Sequence, residues 1–108
     1  MATAKELMET AKKKIEENKA QAGSIGAVYK FVLDGDGGGT FVMNLKDAPG
    51  VSEGDGAAQC TIKMAAKDYV DMIEGRANGQ QLFFTGKLKI EGDMGLAMKL
   101  QKLTDMMK

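Results

Sequence analysis

Histidine and tryptophan are absent from the 108-residue sequence, and cysteine and proline occur once each. Each absence removes a class of function. Without histidine there is no imidazole acid or base, no Ser-His-Asp arrangement and no Cys/His metal cluster. The one cysteine, Cys60, allows no internal disulfide. An excess of charge of one sign is missing too, since fifteen Lys and Arg stand against fifteen Asp and Glu. Phosphate backbones need a concentrated basic surplus, so nucleic acid is not an expected partner. No apolar run approaches the roughly 20 residues that cross a bilayer. The amino terminus lacks the basic start, apolar run and cleavage site of a secretory signal. These absences lead us to expect a single intracellular domain over residues 1–108.

What is plentiful is methionine, with nine residues in the chain. Its unbranched, polarisable side chain fills irregular space and repacks around varied neighbours.

Periodicity organises the chain into α and β segments. Thr3 followed by Glu6 is a capping-box signature, and Ala4, Leu7, Met8, Ala11 and Ile15 recur at helical spacing behind it. They predict an amphipathic helix near residues 4–21, with a charged outer face that includes Lys12, Lys13 and Lys14. A solvated face is the ordinary reading of that run, and transient contact with an anionic membrane surface is the alternative. From Ala27 the period changes to two, through Tyr29, Phe31 and Leu33, and again through Phe41, Met43 and Leu45. The glycines between Asp34 and Gly39 supply the turn. A short strand is expected around Val51, with further strands at Cys60–Met64 and at Leu88 and Ile90. Each clear strand has one apolar and one polar face, which makes the class α+β, an antiparallel or mixed sheet covered on one side.

The covering helices follow from their stripes. Ala65, Ala66, Tyr69, Val70, Met72 and Ile73 form one that Gly75 stops, and Asn78 with Gln81 opens a short turn carrying Leu82, Phe83 and Phe84. Asp93 caps a last helix expected to run to about Met107.

Tests for bond-making chemistry fail. The Asp34 to Thr40 run begins like a calcium loop, but Leu45 stands at the twelfth position, where a bidentate Glu is required, and Gly38 stands at the fifth. No Lys-Ser or Lys-Thr follows these glycines, so the run is not a phosphate loop. Cys60 alternates with Ile62 and Met64 and reads as a small buried residue. No metal, no cofactor and no enzymatic activity are expected.

Apolar surface, by contrast, is in surplus near the carboxyl terminus. Leu96, Leu100, Leu103 and Met107 share a narrow helical stripe, whereas Met94 and Met98 point nearly the opposite way and Met106 lies to one side. Three consecutive apolar residues, Leu82 to Phe84, cannot share one face of a helical turn either. Ordinary core packing, a second copy or partner protein, and an apolar ligand are the three ways to cover them.

The residues in this region carry a resemblance. Asn78 to Leu103, reading NGQQLFFTGKLKIEGDMGLAMKLQKL, closely resembles the carboxyl-terminal half of the sterol carrier protein 2 family. Agreement extends to Cys60-Thr-Ile-Lys-Met64 and Tyr69-Val-Asp-Met-Ile-Glu-Gly75, and more loosely to Val42-Met-Asn-Leu-Lys46. The resemblance implies a five-stranded, mostly antiparallel sheet with helices on one face and an apolar tunnel between the layers. It implies a non-catalytic carrier that binds and transfers fatty acids, fatty acyl-CoA or sterols. The expected lipid-binding residues are then Phe31, Met43, Tyr69, Ile73, Leu82, Phe83, Phe84, Met94, Met98, Leu103 and Met106. A monomer is expected; a protein-interaction or self-association module using the Met-rich last helix is the alternative. Family members often end in a Ser-Lys-Leu or Ala-Lys-Leu peroxisomal address, whereas this chain ends Asp105-Met-Met-Lys108, which points to the cytoplasm.

Overall fold

The computed structural model describes residues 3–35, 37–46 and 49–99. Helix α1 (Ala4–Glu17) opens with the expected capping box: Thr3 Oγ1 accepts from the Glu6 backbone N–H, and the Glu6 carboxylate accepts from the Thr3 N–H. The helix expected over residues 4–21 is in fact two. Asn18 leaves the helical conformation, and its side-chain amide donates to the Lys14 carbonyl at 2.8 Å. An asparagine that satisfies a local carbonyl with its own side chain competes with the helical ladder. A short helix α2 (Lys19–Gly23) follows the break.

Five strands form one sheet: β1 (Ala27–Asp34), β2 (Gly39–Leu45), β3 (Gly50–Glu53), β4 (Cys60–Ala65) and β5 (Leu88–Gly92), in the order β3-β2-β1-β4-β5. The β1/β4 pair is parallel, with Phe31 opposite Ile62; the other three pairings are antiparallel. Alternation along the central strands buries Tyr29, Phe31 and Leu33, Phe41, Met43 and Leu45, and Cys60, Ile62 and Met64, while their neighbours stay partly accessible. Period-two patterning therefore selects one face for the core.

Helices α3 (Ala66–Ile73), α4 (Gly79–Phe84) and α5 (Met94–Ala97) are the remaining helices among the described residues; the part of the last helix expected from residue 100 to about Met107 lies outside them. Helix α1 lies against β3 and α3, α3 against β1 and β4, and α4 and α5 against β5. Ala65, which the sequence pattern assigns to the α3 stripe, instead ends β4 and is exposed. Tyr69 of α3 stacks edge-on to Phe31 of β1, with ring centroids 5.9 Å apart, and its hydroxyl reaches Met8 Sδ of α1 at 3.7 Å. That contact ties the sheet to both helices.

The opposite face of the sheet is crossed by the β3–β4 connection. Lys30 Nζ meets Asp55 Oδ1 at 2.9 Å, a Cβ on Gly56 would stand 3.1 Å from the Val42 side chain, and Gln59 exchanges hydrogen bonds with the Val28 backbone.

The β5–α5 turn is tight. Gly92 has φ +97, and a Cβ there would come within 2.5 Å of the Gln59 carbonyl oxygen, which accepts from the Asp93 N–H at 3.0 Å. We expect Gly92→Ala to cost about 2–4 kcal/mol through strain plus a backbone clash. Gly75→Ala, at φ +85 with nothing within 4 Å, should cost about 1 kcal/mol. Urea denaturation midpoints of the two variants check the difference.

Candidate functional site

The candidate site lies where the helical layer becomes thin, at the β5 edge. Leu88 and Ile90 pair with Met64 and Ile62, so they face the covered side. Leu88 is buried, while Ile90 is only partly so. Helix α4 ends at Phe84, before β5, and α5 begins at Met94, after it, so the strand, about 13 Å long at roughly 3.3 Å per residue, runs between them.

Helix α4 is short and firmly capped. Asn78 Oδ1 accepts from the N–H groups of Gln80 and Gln81, and the Lys87 N–H returns to the Leu82 carbonyl. One turn of helix cannot turn three consecutive side chains inward. Leu82 is buried, Phe83 is half-exposed and Phe84 is 82% exposed, with the two phenyl rings 5.9 Å apart.

Helix α5 is held at both ends. Asp93 Oδ1 accepts from the Gly95 and Leu96 N–H groups, and the hydroxyl of Tyr29, in the middle of the covered sheet face, donates to the Leu96 carbonyl at 2.7 Å. Lys99 Nζ reaches the Ile25 carbonyl at 3.4 Å. These anchors turn Leu96 partly into the core and leave Met94 and Met98 52% and 86% exposed.

The residues expected to hold lipid thus fall into two groups. Phe31, Met43 and Tyr69 are 0% exposed, closed against neighbouring side chains with no water-sized space beside them, and Ile73 and Leu82 are buried near them in the same core. Phe83, Phe84, Met94 and Met98 are exposed, an apolar rim in two parts, one at α4 and one at α5, on either side of β5 in the chain. Leu103 and Met106 lie outside the described residues. Sequence reasoning omitted Ile90 and Leu96, which lie between the core and the rim, and the Tyr29 anchor. A tyrosine among the inward-facing residues of β1 was the available signal, because a buried hydroxyl needs a partner.

The site's titratable groups are shifted by burial. Tyr29 is pushed up from its usual 10.0 to about 12, first by desolvation and then by the nearby Cys60 and Asp93, and desolvation also raises Tyr69. Cys60 is a free, buried thiol raised by desolvation and by Asp93, the opposite of what a nucleophile requires. Among the described residues no group of three or more His, Cys, Asp or Glu could hold a metal ion, and no helix is long and apolar enough to cross a membrane.

Comparison with known proteins places this geometry in a family. The family model of the SCP-2 sterol transfer family matches residues 5–105. Human sterol carrier protein 2 is 45% identical over 100 residues, a match covering 88% of this chain and 18% of that protein. The chain therefore spans about a fifth of that relative's length. The apo form of sterol carrier protein 2 from Yarrowia lipolytica superposes with a TM-score of 0.80 at 22% identity, covering 92% of this chain and 87% of that one. The palmitate complex of sterol carrier protein 2 from Aedes aegypti superposes with a TM-score of 0.77 at 22% identity over 100% of both chains. The last two likenesses show a shared fold.

Burial of Tyr29 makes alkaline stability a direct test of the α5 anchor. Below its ordinary value of 10.0 the phenol is protonated in both folded and unfolded chains, and stability is complete. As pH rises from 10.0 toward about 12, the unfolded chain releases this proton while the folded chain keeps it, so stability falls. Tyr29→Phe should remove its share of that slope and lose about 1 kcal/mol at neutral pH with the hydrogen bond. Urea titrations from neutral to alkaline pH, with tyrosinate absorbance as the proton readout, measure both.

Proposed function

The chain belongs to the SCP-2 sterol transfer family, and from that premise we propose that it is a non-catalytic, non-specific lipid carrier for fatty acids, fatty acyl-CoA or sterols. The observation that supports this most is the apolar rim of Phe83, Phe84, Met94 and Met98 beside the partly buried Ile90 and Leu96. A hydrocarbon chain laid along Ile90 would cover the rim on one side and meet the core at Leu82 and Ile73 on the other. Phe31, Met43 and Tyr69 form the floor beyond, reached only when a ligand parts α3 and α4 from the sheet. Leu103 and Met106 are further proposed wall residues. The palmitate carried by the Aedes aegypti protein of the same fold is the ligand type in view.

Apolar burial alone supplies adequate affinity. Hiding about 300 Å² of ligand hydrocarbon at roughly 25 cal/mol per Å² is worth on the order of 7 kcal/mol before the cost of immobilising the ligand. The working species is proposed to be a monomer. Its free, buried cysteine suits a reducing compartment such as the cytoplasm.

Delipidated protein titrated with palmitate, palmitoyl-CoA and cholesterol should bind at least one of them saturably in the micromolar range. Met94→Ser and Phe83→Ser should each weaken that binding about tenfold, because each removes one apolar wall. Absence of saturable binding to all three ligands would overturn the proposal.

A further inference from the structure

Strand β5 ends the sheet, and among the described residues no strand pairs with its outer edge. The other edge strand, β3, has α1 packed against it, with Lys5 Nζ 3.8 Å from Glu53 Oε1. An open edge carries unpaired N–H and C=O groups, a template for one more strand. Which strand it accepts is decided by the side chains that the register sets opposite each other.

Strand β5 reads Leu88-Lys89-Ile90-Glu91-Gly92, with Leu88 and Ile90 toward the covered face and Lys89 and Glu91 exposed on the other. Rotated about a two-fold axis through Ile90 and paired antiparallel with itself, it sets Ile90 against the partner's Ile90 and Leu88 against the partner's Gly92. On the exposed face Lys89 then stands opposite the partner's Glu91, and the symmetry makes that contact twice. A slip of one residue would put the two covered faces on opposite sides of the joined sheet. A slip of two would set Lys89 against Lys89 or Glu91 against Glu91. Only the register centred on Ile90 matches both faces. Within one chain the charges on this strand are unbalanced. Lys89 lies directly across from Lys63, Glu91 bonds Lys63 at 2.7 Å, and Lys89 has no ion pair among the described residues. The partner's Glu91 supplies the carboxylate that Lys89 lacks.

The same rotation joins the two parts of the apolar rim. Helix α4 precedes β5 and α5 follows it, so antiparallel pairing brings Phe83 and Phe84 of one copy toward the α5 end of the other, where Met94 and Met98 are exposed. Thioether groups pack favourably against aromatic rings. Each half of the rim gains an apolar neighbour from the other copy.

We propose that the lipid-free protein forms a two-fold dimer through antiparallel pairing of β5, and that this second copy competes with lipid for the rim. The competition rests on the carrier reading above: the lipid-loaded carrier is the monomer, and the dimer is its empty form.

Sedimentation equilibrium of delipidated protein across the micromolar range tests the pairing. The parent should pass from monomer to dimer with rising concentration, and saturating palmitate should return it to monomer. Lys89→Glu and Glu91→Lys each set like charges opposite one another at both symmetric contacts, and each should weaken the dimer about tenfold. An equimolar mixture of the two variants restores opposite charges at both contacts and should dimerise about as tightly as the parent. Both positions are exposed, and circular dichroism verifies that each variant is folded. A parent that stays monomeric, a dimer indifferent to Lys89→Glu, a mixture that fails to pair, or a dimer that persists with palmitate bound would each overturn the proposal. Palmitate titration of the Lys89→Glu variant, altered on the sheet face away from the rim, reads the carrier function by itself. Absence of binding there sinks the carrier reading, whereas binding by a parent that never dimerises sinks the dimer alone.

Discussion

The parallel pairing of β1 with β4 is the constraint on which the rest of the fold depends. β1, β2 and β3 form an antiparallel meander, which leaves the chain at one sheet edge, yet β4 must enter on the far side of β1. Parallel neighbours need a crossover. Here it runs over the polar face, held by Lys30–Asp55, by the approach of Gly56 to Val42, and by Gln59, whose backbone N–H donates to the Val28 carbonyl and whose side-chain oxygen accepts from the Val28 N–H. Because the crossover takes that route, the apolar face is left free for α1, α3 and α5. The same segment then sets the position of α5, since the Gln59 carbonyl accepts from Asp93 and restricts residue 92 to glycine.

Cover on the apolar face is uneven. The Tyr69 contacts with Phe31 and Met8 close the middle of the layer. Among the described residues the cover at β5 consists of two short helices, neither able to bury a whole side-chain set. Methionine is sorted accordingly: Met8, Met43, Met64 and Met72 are at most 2% exposed, whereas Met94 and Met98 stand at the rim. The one element type thus serves as core filler in one place and as adaptable surface in another.

Much of this could be read from the residues. Strand alternation, the Thr3, Asn78 and Asp93 caps, and the surplus at Phe84, Met94 and Met98 are local patterns, and local patterns appear in a single sequence. The helix break at Asn18 was not legible, because one side-chain hydrogen bond decided it against an otherwise continuous helical period. Nor was the Tyr29–Leu96 hydrogen bond, whose partners are 67 residues apart and meet only through sheet order. Period-two patterning correctly put Phe31 and Met43 on the covered face, but it carries no information on whether a covered residue touches a ligand or only its neighbours. Both residues pack without water-sized space.

For the proposed carrier, low selectivity would follow from what the polar groups around the rim already do. Tyr29 donates to the Leu96 carbonyl, Asp93 accepts from the start of α5, Thr85 donates to Gln81 and Leu82 carbonyls, and Lys99 reaches the Ile25 carbonyl. Tyr29 and Lys99 tie the α5 region to β1 and the residue before it, while Asp93 and Thr85 cap the ends of α5 and α4, so recruiting any of them to a ligand headgroup would loosen the proposed site. Strong discrimination between small molecules comes from polar groups left unpaired by the wrong ligand. With these four groups engaged internally, the rim offers apolar burial instead, worth about 0.8 kcal/mol per methylene. Such a surface would grade ligands by hydrocarbon length and separate poorly those of similar apolar area.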